Sequence, residues 1–322
     1  MISVAMSTRP NNGLSQAYEL LKEGKPALAK PLLEDALADD LDNKEILFTI
    51  RCANFWKEEL QVVEHILLPF EKGERIIEGW KRFVTVIADM MQESCEASFY
   101  VVRRGIFTLA LEYYQQHLED PQQILRAEAY RKAAFCHKQL GAFETALTYL
   151  KEANTLLDNI TKREDAAPIL AEMADCYALC GQDNYAKVFF REAFFLGANK
   201  IDFIFLDSEL IYRLVELVRQ FGYPDRVMKE WIPVYGVLYG VLNINRPLRP
   251  IEFSNLKRDI TSLENEIQSS TSEISLLVPR LINKYFWLID YYMYINDDRE
   301  KINDTLRRIR LLNEDVYKKY TM

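Results

Sequence analysis

Apolar residues recur at intervals of three and four along most of this chain, and the segments that follow the pattern are long. Two clear examples are residues 73–91 and the aromatic-rich stretch 274–295. This spacing places apolar side chains on one face of an α-helix. The pattern therefore predicts an all-α protein, and counting such segments suggests about 14–16 helices.

The content of turn-forming residues agrees with a helical fold. Glycine and proline number 11 each among 322 residues, together about 7% of the chain against a usual share of about 12%. Sandwiches, barrels and doubly wound sheets need many glycine and proline turns. Hydrophobic residues make up 49% of the chain, which is enough for a substantial core and excludes wholesale disorder.

Three segments share one pattern, and each is centred on a glycine. These glycines are Gly105, Gly141 and Gly181, at intervals of 36 and 40 residues. A weaker match covers residues 11–43 around Gly24. In the three clear segments a small residue stands seven positions before the glycine (Ser98, Ala134, Ala174), an alanine five positions after it (Ala110, Ala146, Ala186) and a bulky residue nine positions after it (Tyr114, Leu150, Phe190).

This pattern describes a pair of antiparallel helices. The glycine ends the first helix, because the left-handed conformation that follows a helix costs least for glycine. The small residues lie where the two helices cross most closely, and the bulky residue fills the space towards the next pair. Each pair keeps an apolar face that only a neighbouring pair covers, so the pattern predicts that the pairs stack.

The segments resemble tetratricopeptide repeats, a family of 34-residue helix–turn–helix units. Phe107 and Phe143 occupy the aromatic position two residues after the glycine, and Asp120-Pro121 is similar to the stop between repeats. The resemblance covers residues 11–43 and 94–197. It implies an α-solenoid, a superhelix of helix pairs with a concave groove that binds peptides.

The chain also departs from this family. His117 replaces a small residue, Asp183 replaces the aromatic residue after the turn, and residues 158–168 form an insertion between repeats. Members that bind the carboxyl-terminal tails of chaperones carry an asparagine where Phe135 stands here. The resemblance therefore does not extend to that subclass.

The remaining segments also have helical patterns. Residues 43–70 fit one degenerate helix pair, and residues 221–224 break a later helical stretch. The clearest break is RPLRP at 246–250, since proline does not continue a helix. We therefore predict a superhelix of tetratricopeptide-like repeats over residues 1–245 and a helical C-terminal module over residues 246–322.

Charge and cysteine content narrow the class of protein. The 40 basic and 48 acidic residues give a net charge of −8, which argues against a general nucleic-acid binder. Five cysteines lie within helical patterns, as is typical of a reducing compartment.

Residues 1–13 lack an apolar segment of signal-peptide length, and the longest uncharged apolar run, 231–242, is too short to span a membrane. These features predict a cytoplasmic protein without a membrane span.

Few residues are candidates for chemistry. Cys176 and Cys180 share a helix face at a spacing suited to metal ligands, but no histidine lies near them in the sequence, so buried thiols are the preferred interpretation. His65, His117 and His137 belong to no catalytic motif, and the chain has no nucleotide-binding loop or nucleophile elbow. We therefore predict no catalytic residue, no metal and no cofactor.

The first helix of each pair faces the groove in such a stack, and this register selects the candidate binding residues. They are Phe99, Arg103, Arg131, Phe135, Lys138 and Asp175. Tyr18, Phe99 and Phe135 hold the same position, six residues before the glycine. Aromatic rings beside arginine and lysine offer a peptide both stacking area and charge-assisted hydrogen bonds. The alternative interpretation is that these rings pack against the neighbouring helix.

The function predicted from the sequence is a non-enzymatic scaffold or adaptor that binds a peptide or helix of a partner protein. Self-association through the C-terminal module is left open. One alternative is a regulatory sensor that binds a signalling peptide or a small ligand. Another is an all-α enzyme with a site near residues 280–295, with Lys284 and Asp290 as its candidate ionisable groups.

Overall fold

The computed structural model of the protein describes residues 9–157, 163–244, 246–269, 273–295 and 299–322. Within these ranges the chain forms fifteen α-helices and no β-strand. Helices that follow one another in the chain pack together as neighbouring pairs. The predictions of an all-α fold and of the number of helices are therefore confirmed.

The chain divides into two compact units, residues 1–157 and 158–322. The predicted division at residue 245 lies inside the second unit and stays a prediction. The helices of the first unit are α1 (Arg9–Lys22), α2 (Pro26–Asp39), α3 (Lys44–Glu64), α4 (Pro69–Ile87), α5 (Glu96–Gln115), α6 (Gln123–Gln139) and α7 (Phe143–Leu157).

The second unit contains the remaining eight described helices. They are α8 (Ala167–Leu179), α9 (Asp183–Gly197), α10 (Glu209–Arg219), α11 (Asp225–Leu238), α12 (Pro250–Ser269), α13 (Ile274–Tyr294), α14 (Arg299–Leu312) and α15 (Glu314–Thr321). The first five residues of the predicted insertion 158–168 lie outside the described residues. The break predicted at 221–224 separates α10 from α11, and the break at RPLRP precedes α12, as expected.

Three of the four predicted glycine turns end a helix in the same way. Gly24, Gly141 and Gly181 adopt φ values of 69°, 82° and 72°, in the left-handed region that favours glycine. After Gly141 the N–H of Ala142 donates to the carbonyl oxygen of His137 at 2.9 Å, and the other two turns have the equivalent hydrogen bond. These are Schellman caps, so the prediction that glycine closes the first helix is confirmed at these positions.

Alanine and larger apolar residues occupy the predicted places in these helix pairs. Ala29, Ala146 and Ala186, each five residues after a turn glycine, are completely buried. The larger residues nine positions after the glycines are buried as well: Leu33, Leu150 and Phe190. The pattern therefore identified buried residues of each pair, and the prediction that the alanines mark the close crossing stays a prediction.

The prediction of a helix pair centred on Gly105 is wrong. Residues 96–115 form the single helix α5, and Gly105 lies in its middle. A Cβ atom added to Gly105 would overlap the carbonyl oxygen of Leu21 and come within 3.0 Å of the backbone nitrogen of Gly24. Glycine is needed here because the turn between α1 and α2 packs directly against the backbone of α5.

The degenerate helix pair predicted over residues 43–70 is also wrong. Helix α3 runs without a break from Lys44 to Glu64, and α4 begins at Pro69. No glycine or proline lies between residues 44 and 64, so nothing in the local sequence ends the helix there. Asn43 caps its start by accepting a hydrogen bond from the N–H of Ile46 at 3.0 Å.

The RPLRP break is tied to the helices around it by a buried carboxylate. Glu252, in the first turn of α12, accepts hydrogen bonds from Arg246 at 2.7 and 2.8 Å and from the backbone N–H of Arg249 at 2.9 Å. Arg246 also contacts Glu192 of α9 at 2.6 and 3.1 Å. Burial alone would raise the pKa of the Glu252 carboxyl, but the hydrogen bonds from Arg246 and Arg249 outweigh it and hold the pKa below its ordinary value.

We predict that Gly105→Ala destabilises the protein although alanine favours helices. The added Cβ overlaps backbone atoms of the α1–α2 turn, which do not rotate away as a side chain does, so a loss of about 1–3 kcal/mol is expected. The control is Gly79→Ala in α4, where a Cβ would make ordinary contacts at 3.4 and 3.5 Å and the helix gains up to about 1 kcal/mol. Urea unfolding measures both, and equal effects would contradict the close approach.

We predict that Glu252→Gln lowers the free energy of unfolding by about 2–3 kcal/mol at pH 7, because it removes the negative charge from a buried pair. The folded-state pKa of Glu252 is lowered from the ordinary value of 4.5, so its contribution is complete above that pH and is lost as the pH falls through the folded-state pKa. The difference between wild type and variant therefore shrinks as the pH is lowered below about 4.5.

The control for this series is Glu209→Gln, which alters an exposed pair with Arg213 and should change stability little. Urea unfolding curves at a series of pH values make the comparison. A difference between wild type and Glu252→Gln that stays constant with pH would mean that the carboxylate is not held in its charged form by the two arginines.

Candidate functional site

Five of the six predicted binding residues lie on two neighbouring helices of the first unit. Phe99 and Arg103 are one turn apart on α5, and Arg131, Phe135 and Lys138 are at similar spacing on α6. Residues three and four apart share one face of a helix. Helices α5 and α6 pack against each other, and we call these five residues the α5–α6 face.

The ring of Phe99 packs on α4 and remains half-buried. Its centroid lies 5.4 Å from that of Trp80 and 6.4 Å from that of Phe83. Contacts of this kind between aromatic rings are favourable beyond the area that they bury. Phe99 is therefore held in place by the neighbouring helix, as the alternative interpretation of the sequence expected, while part of its surface stays accessible.

Phe135 occupies the equivalent position on α6 and is linked to the same aromatic cluster. Its ring meets Phe107 edge to face at 5.5 Å, and Phe107 in turn lies 4.9 Å from Trp80. Phe107 is completely buried, whereas Phe135 is half-buried. One continuous series of rings therefore connects Phe99 to Phe135 through Trp80 and Phe107.

Arg103 lies over two aromatic rings at the accessible side of this cluster. The centre of its guanidinium group is 5.9 Å from the ring centroid of Phe99 and 5.7 Å from that of Tyr100. Tyr100 is 48% exposed. Among the described residues no carboxylate pairs with Arg103, and its Nε is buried without a hydrogen-bond partner. A cation stacked on rings in this way keeps its charge available to an anionic group of a ligand.

The two cations of α6 are less accessible than the sequence suggested. Lys138 was expected in the groove, but it is only 5% exposed, and its ammonium group lies 5.7 Å from the ring centroid of Phe135. Arg131 is half-buried and pairs with Glu128 at 3.4 Å. Since a lysine buries its long aliphatic chain readily, the helical register alone did not predict how deep its charge would lie.

Asp175 lies in the second unit and has a structural position there. It is completely buried, and its carboxylate accepts hydrogen bonds from the backbone N–H groups of Asp207 at 3.0 Å and Ser208 at 2.8 Å. These residues directly precede α10, so Asp175 holds the start of that helix. The prediction that Asp175 faces a groove is not supported by this environment, because its carboxylate is already engaged with the backbone.

Tyr18 was placed in register with Phe99 and Phe135, yet it takes part in a polar contact between three helices. Its hydroxyl donates to Glu45 and lies 2.7 Å from Ser98 Oγ, which in turn lies 2.7 Å from Thr49 Oγ1. Burial, followed by the hydrogen bond with Glu45, raises the pKa of the Tyr18 hydroxyl well above its ordinary value. Tyr18 thus links α1 to α3 and α5.

Two residues of the site were missed by the sequence reasoning. Tyr100 directly follows Phe99 and supplies the most exposed ring beneath Arg103. Trp80 connects the rings of α5 to α4, and its helix had no register relative to the repeats. The adjacent pair Phe99-Tyr100 was a usable signal, since consecutive residues of a helix point about 100° apart and Tyr100 therefore extends the aromatic surface beside Phe99.

The candidate chemical groups are mostly enclosed. Four of the five cysteines are buried, and Cys180 is half-buried. Burial raises the pKa of the Cys52 thiol to about 12, and burial lowers the pKa of His137. In the described ranges no group of three or more His, Cys, Asp or Glu side chains is arranged to hold a metal ion. None of the helices there combines the length and apolar character that a membrane span requires.

Comparisons of the chain with protein-family models and with curated proteins do not assign it to a family. No protein-family model matches the chain. A comparison with curated proteins likewise finds no match. The function of the α5–α6 face is therefore inferred from its own residues and contacts.

We predict that Asp175→Ala destabilises the protein by about 2–3 kcal/mol, because it leaves the backbone donors before α10 without their acceptor. The matched control is Asp304→Ala, which removes an exposed carboxylate from α14 and should have little effect. Thermal and urea unfolding measure the difference. Unchanged stability in Asp175→Ala would instead return Asp175 to the group of candidate binding residues.

Proposed function

We propose that this protein is a non-enzymatic interaction scaffold that binds a peptide or helix of a partner protein on its α5–α6 face. Three helix pairs whose first helix ends at a glycine, with a buried alanine five residues after it, support an arrangement similar to tetratricopeptide repeats. The proposal includes the α-solenoid arrangement of these pairs. Cytoplasmic location and self-association through residues 246–322 stay predictions from the sequence.

The main support for this proposal is the environment of Arg103. Its guanidinium group lies over Phe99 and Tyr100 and has no carboxylate partner among the described residues. Binding sites for peptides combine aromatic area with arginine, because the ring supplies apolar contact and the guanidinium supplies directed hydrogen bonds. The half-exposed ring of Tyr100 provides the contact area next to this charge.

The chemistry of the face also indicates the kind of segment that it binds. A carboxylate of the partner would accept hydrogen bonds from Arg103, and an adjacent apolar or aromatic side chain would pack on Tyr100. Phe99 and Phe135 are anchored to Trp80 and Phe107, so the surface is organised before the partner arrives. Such preorganisation reduces the entropy lost on binding.

The ionisable groups near residues 280–295 are engaged in the fold, which does not favour the enzymatic alternative. Lys284 contacts Asp259 at 3.2 Å and the carbonyl oxygen of Phe195 at 3.0 Å. Asp290 accepts a hydrogen bond from Arg191, which is itself buried. These pairs join α9, α12 and α13 to one another.

The partner can be found by placing a photo-crosslinking amino acid at position 100 in living cells. The control position is Ile124, which is 60% exposed and lies outside the face. The segment that crosslinks at position 100 but not at 124 is then synthesised as a peptide. Its affinity for the purified protein is measured by fluorescence anisotropy.

We predict that Arg103→Glu weakens binding of this peptide about 30-fold or more, since a hydrogen bond to a charged group contributes about 2 kcal/mol and each 1.4 kcal/mol is tenfold. The matched control is Arg104→Glu, which makes the same charge change at the adjacent exposed residue of α5. Circular dichroism confirms that both variants are folded. Equal affinities of the two variants would place the partner site elsewhere.

A further inference from the structure

A cleft of about 720 Å³ lies in the second unit, between the end of α9 and helices α11, α12 and α13. No residue of this cleft belongs to the α5–α6 face, so a ligand site in the cleft would be independent of the proposed partner site. Ligand sites are typically concave and combine apolar walls with a few convergent polar groups. The cleft has both features.

Two helix faces supply the polar groups. On α12, Asn255, Arg258 and Ser262 follow at helical spacing, and all three line the cleft. On α13, Arg280 and Lys284 are one turn apart and also line it. Both helices therefore direct cations towards the same space.

Each carboxylate of the cleft already has a cationic partner. Glu230 accepts a hydrogen bond from Arg280, and Asp259 contacts Lys284 at 3.2 Å. Glu252 is bonded to Arg246, which lies outside the cleft lining. A ligand cation would therefore have to compete with an existing partner at each of these acids.

Arg258 is different, because no carboxylate pairs with it in the part of the chain that the structure describes. Its Nη2 donates to the side-chain oxygen of Asn255 at 2.9 Å, which leaves most of its N–H donors unused. Arg258 is exposed at the cleft. The lining has three carboxylates and three cations, but Glu252 pairs with Arg246 outside it, so among the described residues Arg258 is the lining cation left without a carboxylate.

Apolar side chains line the cleft next to these polar groups. Phe194, Phe195 and Leu263 line it and are buried within the fold. The ammonium group of Lys284 lies 4.0 Å from the ring centroid of Phe195, so charged and apolar groups adjoin in this cleft. An occupant that matches both kinds of lining group carries an oxyanion next to an apolar body.

We propose that this cleft binds a small organic anion, whose carboxylate or phosphate is held by Arg258 with Arg280 and Lys284 beside it, and whose apolar body packs against Phe195 and Leu263. Carboxylates and phosphates share the oxyanion geometry that a guanidinium group binds through paired hydrogen bonds. Lysine carries the same charge without this fork, so the site should distinguish arginine from lysine at position 258.

The test uses isothermal titration calorimetry on the full chain with four related probes. Benzoate and phenyl phosphate are the anionic probes and distinguish the two oxyanions, whereas benzyl alcohol and benzylammonium test a neutral and a cationic group on the same ring. We expect millimolar or tighter binding of at least one anionic probe. Neither the neutral nor the cationic probe should bind as tightly.

The variants are Arg258→Gln, Arg258→Lys and, as a control, Arg310→Gln on α14, which changes an exposed arginine outside the cleft. Arg258→Gln should weaken binding of the anionic probe about tenfold or more, Arg258→Lys by less, and Arg310→Gln not at all. Thermal unfolding checks that all three are folded. Tighter binding of benzylammonium than of the anions, no binding of either anion, or equal affinity of wild type and Arg258→Gln would overturn the proposal.

Discussion

The close approach of helix backbones is the constraint on which the first unit depends. At Gly105 the backbone of α5 lies against the turn between α1 and α2, with no space for a methyl group. Ala29 and Ala146 are completely buried in helix pairs, where a larger side chain would have to displace packed neighbours. These small residues set the distances between helices, and the larger side chains then fill the spaces that remain.

The same constraint positions the candidate site. Because α5 passes Gly105 as one helix, Phe99 and Arg103 belong to the same rigid element as Phe107. A helix that ended at Gly105 would have placed Phe107 on a separate helix. Phe107 is the buried ring that connects Phe135 to Trp80, so the unbroken helix allows a single aromatic cluster to support the accessible rings of both α5 and α6.

The sequence was sufficient where one local mechanism decides the structure, as at Gly24, Gly141 and Gly181, where a left-handed residue ends a helix. It was insufficient at Gly105, because glycine serves both helix ends and close approaches, and only the three-dimensional neighbours distinguish these uses. The site shows the same limit. The aromatic residues of the α5–α6 face were found from their spacing, but the burial of Asp175 depends on a segment more than 30 residues away, which no local pattern contains.

An exposed arginine without a carboxylate partner is common on protein surfaces, and alone it indicates no ligand. Arg258 is informative because of the groups around it. The carboxylates that share its cleft are engaged by Arg280, Lys284 and Arg246, and the most buried of them, Glu252, is held between two arginines where RPLRP joins α12. The chain has 48 acidic and 40 basic residues, so if each base pairs with an acid, the groups left without a partner are expected to be acids. Here the group left without a charged partner among the described residues is the guanidinium of Arg258, close to apolar side chains, and that unpaired cation is the physical basis for assigning the cleft to an anion.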